Sequence, residues 1–362
     1  MLDEILYKMY YINMQSELLG KCGGIMGKKY KCSMQDIAKR LGISKNAVSL
    51  ALNNKPGVSE QLRQQIIKTA QEMNYSGLSY KRKNNNILVL IPEYIRNDTY
   101  FYNDIYWSIE NEAKLKGYNA ILTSVSEEME SELRLPGIYF DMNFSGILII
   151  GVFRKNFVKK LLTLGLPIIS VDHYYDDIML DSVVTANVEC AYMAVQYLID
   201  NGHKDIGYIG SIDMTASLYE RWIGYLKAMR KNNLEVNKEH CITKPSSLYS
   251  LLNEISEIEK SLDEMSSFPT AWFCGGDRIA YALINVLTRR GIKVPDDISV
   301  MGFDDLQASS IIVPNLTTVR VKRQSIGAAA INLMTEKIEK GGDVIKYSIY
   351  GELVIRDSVK KI

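Results

Sequence analysis

The sequence is poor in the residues that carry most catalytic and metal chemistry. It has three histidines, and its five cysteines (Cys22, Cys32, Cys190, Cys241, Cys274) lie far apart with no CxxC pair. That spacing argues against a structural zinc site and fits free thiols in a reducing cytoplasm. No apolar run approaches the length of a membrane span. No GxGxxG follows a strand-like segment, and GxxxxGK[ST] and GxSxG are absent, which removes the main warrant for a nucleotide cofactor, an ATPase or a serine hydrolase. No cofactor, no metal and no enzyme activity are expected. What remains is ordinary for a globular protein: 362 residues, 47% hydrophobic and 23% charged, enough for two or three domains with ample cores.

Charge is scarce overall but unevenly placed. The whole chain carries +1, whereas Lys28 to Lys83 holds twelve Lys or Arg against three acids (Asp36, Glu60, Glu72), a local +9, so the remainder sums to −8. A basic headpiece on an acidic body is an electrostatic footprint for nucleic acid.

The segment 28–75 reads as three short helices. Ser33 with Asp36 forms a capping-box start, and Ile37, Ala38 and Leu41 share one helical face. Gly42 permits a tight reversal. Ser44 caps a second helix with Ala47, Val48, Ala51 and Leu52 inward, which leaves Lys45, Asn46, Ser49 and Leu50 facing away. Lys can bond guanine edges, Asn can bind adenine bidentately, and Leu can meet a thymine methyl. Asn53 to Gly57 is a turn, and Ser59 caps a third helix with Leu62, Ile66, Ala70 and Met73 inward. This is a helix-turn-helix whose recognition helix begins near Lys45.

Before it, residues 1–27 have two early acids and no basic region ahead of an apolar run, so they do not fit a signal peptide. Either this is an extra helix or translation begins at Met26, the expectation preferred here, with the codons of Gly23 and Gly24 supplying a purine-rich ribosome site. After it, 76–86 is a short basic linker, and from 87 to 362 apolar runs alternate with helix-like stretches. The strand candidates are 87–91, 120–125, 146–151, 167–172, 205–210, 271–274 and 298–303; 103–116, 188–201, 218–232 and 279–290 are helical. Such alternation predicts parallel sheets covered on both faces, in two doubly wound lobes, with ligands beyond the carboxyl ends of strands.

The string SMQDIAKRLGIS, AVSLALN and KPGVSEQLR, ending in Asn74-Tyr75, closely resembles the headpiece of the lactose/galactose repressor family of bacterial transcription regulators. The resemblance continues through FSGILII, LPIISVD, YLIDNGHKDIGYIG, PTAWFCGGD, VPDDISVMGFDD and PNLTTVRV, and covers nearly all of 29–358. It implies a helix-turn-helix headpiece on a two-lobed, periplasmic-binding-protein-like α/β body with three crossovers, placed near 185–187, 303–307 and 318–321. By position, Lys45, Asn46, Ser49 and Leu50 match the family's major-groove readers. Ser33, Met34, Asn53 and Ser59 match flanking contacts, and Lys81, Arg82 and Lys83 are expected on phosphates. Many members carry Arg at the position of Leu50. The linker is also shorter than theirs, without the Ala-Arg-x-Leu core of the hinge helix, so Leu78 alone could serve as a minor-groove wedge.

For the cleft, the resemblance implies Phe101 and Tyr102 as a stacking pair, Asp172 and His173 at a strand end, and Arg221 and Asp277 as polar readers of the effector. Asp277 as a helix cap and His173 as a loop residue stay open, and His203 reads as a structural turn residue. A sugar is the favoured effector; the CGGD string also occurs in the purine-repressor branch. The implied protein is a cytoplasmic homodimer that binds a near-palindromic operator and no membrane. The competing class, a solute-binding protein for transport, fits the body alone.

Overall fold

The computed structural model describes residues 32–52, 57–73, 75, 85–97, 101–244 and 251–362. The chain divides between Lys83 and Asn84 into two compact units. The extension 1–27, Asn53, Leu78 and the basic run Lys81, Arg82 and Lys83 lie outside the described residues.

The first unit holds α1 (Met34–Leu41), α2 (Lys45–Leu52) and α3 (Glu60–Glu72). Each begins at a serine. The Asp36 carboxylate accepts the Ser33 N–H at 2.8 Å and the Ser33 hydroxyl at 2.6 Å, and these bonds hold its pKa below the ordinary value. Ser44 Oγ accepts the Ala47 N–H at 3.1 Å and Ser59 Oγ accepts the Leu62 N–H at 3.3 Å. Such caps satisfy otherwise unpaired amides, worth about 1 kcal/mol each. Gly42 ends α1 in the left-handed region, φ +65°, where a side chain would be strained. Ile37, Ala38, Val48, Ala51, Ile66 and Ala70 form the buried core, with Leu41, Leu52, Leu62 and Met73 packed around it. At the far end of α2, Arg63 Nη1 donates to the carbonyls of Leu50 (3.3 Å) and Ala51 (3.1 Å). A cation there satisfies orphan acceptors and opposes the helix dipole.

The second unit has two lobes. The first is built from β1 (Asn86–Pro92), α4 (Tyr102–Leu115), β2 (Asn119–Val125), α5 (Glu127–Ser131), α6 (Ile138–Asp141), β3 (Gly146–Ile150), α7 (Lys155–Leu162), β4 (Ile168–Val171) and β5 (Asp181–Thr185). The chain then crosses and builds the second lobe. Its elements are α8 (Asn187–Asp200), β6 (Ile206–Ile209), α9 (Ala216–Lys231), β7 (Cys241–Ile242), α10 (Leu251–Asp263), β8 (Ala271–Cys274), α11 (Asp277–Arg289), β9 (Ser299–Met301) and β10 (Thr318–Arg320). It returns to the first lobe with α12 (Arg323–Lys340) and β11 (Lys346–Ile349), then crosses again to β12 (Glu352–Val354), which pairs antiparallel with β10.

Both main sheets are parallel, in the orders β11-β5-β4-β3-β1-β2 and β7-β6-β8-β9. Their apolar strands supply cores on both faces. Ile87 and Val89 pack with α4 and α12, whereas Leu88 and Leu90 pack with Phe157, Val158 and Leu161 of α7. In the second lobe Tyr208 and Phe273 face α8 and α9, and Trp272 and Cys274 face α10 and α11.

The two-lobed α/β architecture agrees with the expectation from sequence, but one crossover does not lie where the resemblance put it. The chain crosses at 185–187 and again between β10 and α12. The remaining crossing lies between β11 and β12, not at 303–307. Residues 303–306 stay in the second lobe because Asp277 holds them there: its N–H donates to Phe303 O at 2.7 Å and its Oδ2 accepts the Leu306 N–H at 2.8 Å. His203, read as a structural turn residue, is fully buried, with ring nitrogens 3.0 Å from Thr270 Oγ1 and 3.1 Å from Lys360 O.

Helices α8 and α9 touch through Gly224, where an added Cβ would fall 2.4 Å from Val188 O and 2.6 Å from Ala191 Cβ. Gly224→Ala must therefore separate the two helices. The expected loss is about 1–3 kcal/mol, measured as a lower urea midpoint with an unchanged slope.

Candidate functional site

Two sets of side chains stand out, one on each unit. On the first, Lys45 and Asn46 are exposed in the first turn of α2, and Ser49 and Leu50 follow one turn later on the same face. Leu50 is half-buried yet does not pack on the headpiece core; its Cδ1 lies 3.2 Å from where a Cβ on Gly57 would stand. No acid occupies the first turn of α2, so the positive end of its dipole is left uncompensated. Ser33 and Ser59, at the starts of α1 and α3, are exposed as well. Met34 is half-buried and packs partly against the core.

On the second unit a cleft of about 160 Å³ separates the lobes at the carboxyl ends of their strands. Phe101, Tyr102 and Asp172 line it from the first lobe; Thr215, Ser217, Arg221, Gly275, Arg278 and Asp304 line it from the second. The Phe101 and Tyr102 rings meet edge to face, 5.0 Å apart, and the Tyr102 hydroxyl donates to Asp172 Oδ2 at 3.3 Å. Arg221 is only 5% exposed. Its Nε donates to Asn187 Oδ1 (3.0 Å), its Nη1 to Gly275 O (2.6 Å), and its Nη2 pairs with Asp304 Oδ1 at 3.1 Å. The guanidinium lies 3.8 Å over the Phe303 ring.

Of the residues named for the effector, Phe101, Tyr102, Asp172 and Arg221 line this one cleft, and Asp277 does not. Its carboxylate is fully buried and absent from the cleft wall: Oδ1 accepts from Thr318 Oγ1 at 2.6 Å, and Oδ2 accepts from Ser309 Oγ at 2.6 Å besides the Leu306 amide. Burial, then the neighbouring Asp304 charge, raises its pKa. Nor does its side chain cap α11, whose N-cap is Gly276. The acid that reaches the cleft from the second lobe is Asp304. It sits just beyond β9 in Phe303-Asp304-Asp305, so the strand-end rule applied to that strand points to it.

His173 is displaced from this group too. It lines an adjoining outer cavity with Tyr174, Asp213 and Tyr219, and burial lowers its pKa to about 4, so it is neutral near pH 7. The backbone marks the cleft independently. Asp172 (φ 63°), Asp304 (φ 118°) and Asp305 (φ 51°) all take positive φ without being glycine. Strain of this kind persists where surrounding contacts impose it, commonly at functional sites.

Comparison with known proteins agrees with both units. Residues 33–77 match the model for bacterial regulatory proteins of the lacI family, and 195–359 match a periplasmic binding protein-like domain. The HTH-type transcriptional repressor PurR of Histophilus somni (strain 129Pt) is 31% identical over 339 residues, spanning 91% of this chain and 99% of the relative. PurR of Pasteurella multocida (strain Pm70) is 28% identical over 336 residues, spanning 91% and 98%. Among solved structures, the lac repressor dimer bound to operator and the anti-inducer ONPF superimposes with TM-score 0.69 at 20% identity, covering 91% of this chain and 100% of that one. The CelR–cellobiose complex gives 0.68 at 20%, covering 90% and 99%. The chain belongs to the lacI family of bacterial regulatory proteins, transcription repressors with a small-molecule-binding body rather than enzymes.

Proposed function

We propose that the chain acts in the cytoplasm as a homodimeric repressor whose two headpieces read successive major-groove half-sites of a near-palindromic operator. Two-fold protein symmetry imposes that operator symmetry. The observation that carries the base-reading role is the placement of Lys45 and Asn46: exposed, at the positive end of a helix capped by Ser44, with Ser49 and Leu50 one turn on. Lys45 and Asn46 bond base edges, and Leu50 meets a thymine methyl where an Arg would select guanine. Ser33, Met34, Asn53 and Ser59 make the flanking contacts, and Lys81, Arg82 and Lys83 bind phosphates. The domain division follows: headpiece 28–75, basic linker 76–86, effector-binding and dimerisation body 87–362.

The effector occupies the interlobe cleft, held by Phe101, Tyr102, Asp172 and Arg221, with Asp304 in the role the resemblance gave to Asp277. A sugar is favoured over a purine base by the acceptors on the two walls. Asp172 and Asp304 are carboxylates, which call for donors, and a sugar offers several hydroxyls where a base offers few N–H groups. Ligand contacts to both walls favour one lobe arrangement over another, the differential binding that allostery requires, typically about 1–3 kcal/mol.

Selection of operator sequences from a randomised pool separates the headpiece roles. Asn46→Ala should relax preference at one base pair by about 1–3 kcal/mol, whereas Lys83→Ala should weaken every sequence alike and flatten the salt dependence by about one counterion. Equal loss of selectivity in both variants contradicts the assignment.

The two cleft-region acids should also part company. Asp277→Ala strands three donors and is expected to cost about 2–4 kcal/mol of stability by chemical denaturation. Asp172→Asn should shift the unfolding midpoint little but weaken sugar binding about tenfold or more by titration calorimetry. A body that binds hypoxanthine and no sugar refutes the effector class.

A further inference from the structure

The inner cleft does not end at Thr215. The same residue walls a second, outer cavity of about 520 Å³, which also lies between the lobes, with His173, Tyr174 and Asp176 on one side and Asp213 and Tyr219 on the other. Its volume exceeds that of the inner cleft more than threefold (520 against 160 Å³), so a ligand filling only the inner part leaves most of the interlobe space unused.

The charges around this cavity select its occupant. The two cations on its wall are already paired: Arg154 with Glu127, and Lys155 Nζ with Asp177 at 2.7 Å. Asp176 and Asp213 are exposed. The cavity therefore disfavours a phosphate or carboxylate and suits a neutral group rich in hydroxyls. Aromatic surface is available at Tyr219, which is 49% exposed; Tyr174 opposite it is half-buried and carries Lys346 Nζ 3.2 Å over its ring. The Tyr219 ring offers flat apolar contact to the C–H face of a sugar ring while leaving its hydroxyls in water.

His173 supplies a directional element. The residue is 7% exposed, and its Nδ1 is sealed from solvent without a hydrogen-bond partner among the described residues. A neutral ring carries one proton. A buried N–H without an acceptor is costly, so the sealed nitrogen takes the lone pair and the N–H falls on Nε2, a donor for the cavity. The Tyr175 hydroxyl, beside the ring, is committed elsewhere: it accepts from Phe153 N and donates to Phe153 O, both at 3.0 Å.

We infer that the outer cavity is a second ligand subsite, and that the effector is a neutral glycoside of two linked units, one in the inner cleft and one against Tyr219 and His173. The inference rests on the sugar reading above and goes beyond it in fixing the ligand's length and charge.

Titration calorimetry of the full chain tests it with glucose, galactose and fructose against maltose, cellobiose, lactose, trehalose and sucrose, with hypoxanthine and glucose 6-phosphate as controls. The expected result is at least one disaccharide bound about tenfold or more tighter than its component monosaccharides. Tyr219→Ala, a substitution of an exposed side chain, should collapse that ratio toward one, and His173→Ala should reduce it. A monosaccharide bound as tightly as any disaccharide, with the ratio insensitive to Tyr219→Ala, overturns the second subsite while the sugar reading stands. Tightest binding of glucose 6-phosphate overturns the charge argument. No sugar bound at millimolar concentration, with or without hypoxanthine binding, overturns both readings.

Discussion

The body is organised around one buried cation. A guanidinium taken out of water must be paired and fully hydrogen-bonded or it costs several kcal/mol, and Arg221 meets that demand with groups from three separate parts of the chain. Asn187 opens α8 immediately after the first crossover, Gly275 follows β8, and Asp304 follows β9. The pairing does not stop there. Asn187 Nδ2 donates to Glu220 at 3.0 Å, and Glu220 takes Lys346 of β11 at 3.2 Å, so the network reaches the first lobe. A ligand that bonds Arg221 or Asp304 therefore acts on groups that also fix a crossover and an interlobe contact. That is a physical route from cleft occupancy to lobe orientation, requiring no long-range wire of packed side chains.

The same logic explains why a strained loop persists next to it. Asp304 and Asp305 hold positive φ, which costs each of order 1–3 kcal/mol unless contacts over-determine it. Burial pushes the Asp305 carboxyl up, but bonds from Arg356 and Arg320, both 2.6 Å, outweigh that and hold it below the usual carboxylate range. Arg323, at the start of α12, adds bonds to the Asp304 and Asp305 carbonyls and pairs with Asp104 of α4 at 2.9 Å. Asp277 fixes the loop from beneath. The buried acid is thus a strut, and the acid it supports, Asp304, is presented to the cleft.

That division marks the limit of what was legible in the sequence. Helix starts were readable because Ser33, Ser44 and Ser59 act locally, and most large strands because continuous apolar runs have few other destinations. The lobe architecture followed from their alternation. The longest helix among the described residues, α12, was not picked out: Gly327 and Lys337 are buried along with Ile326, Ile331, Leu333 and Met334, so a glycine and a charge interrupt the apolar stripe. Strand β11 (KYSI) is a polar edge strand and gave no signal, which hid the crossover that follows it. In the cleft, position alone could not distinguish Asp277 from Asp304. Which carboxylate faces the cleft is decided by Ser309, Thr318 and the Leu306 amide, donors remote in sequence that claim Asp277 first.

The headpiece solves a different problem, holding a helix of eight residues steady without using its outward face. An isolated helix that short is not stable in water, so the support has to come from elsewhere. Val48 and Ala51 anchor α2 to the core, Ser44 caps its start, and Arg63 of α3 ties down its last carbonyls. Lys45 and Asn46 are exposed and Leu50 lies off the core, so their substitution costs little stability. Leu50 has one constraint of its own. It rests against Gly57, which sits at φ +115°, so a side chain there would be strained and would also push Leu50 from its place. The place of Leu50 depends on that glycine, and the two positions are coupled.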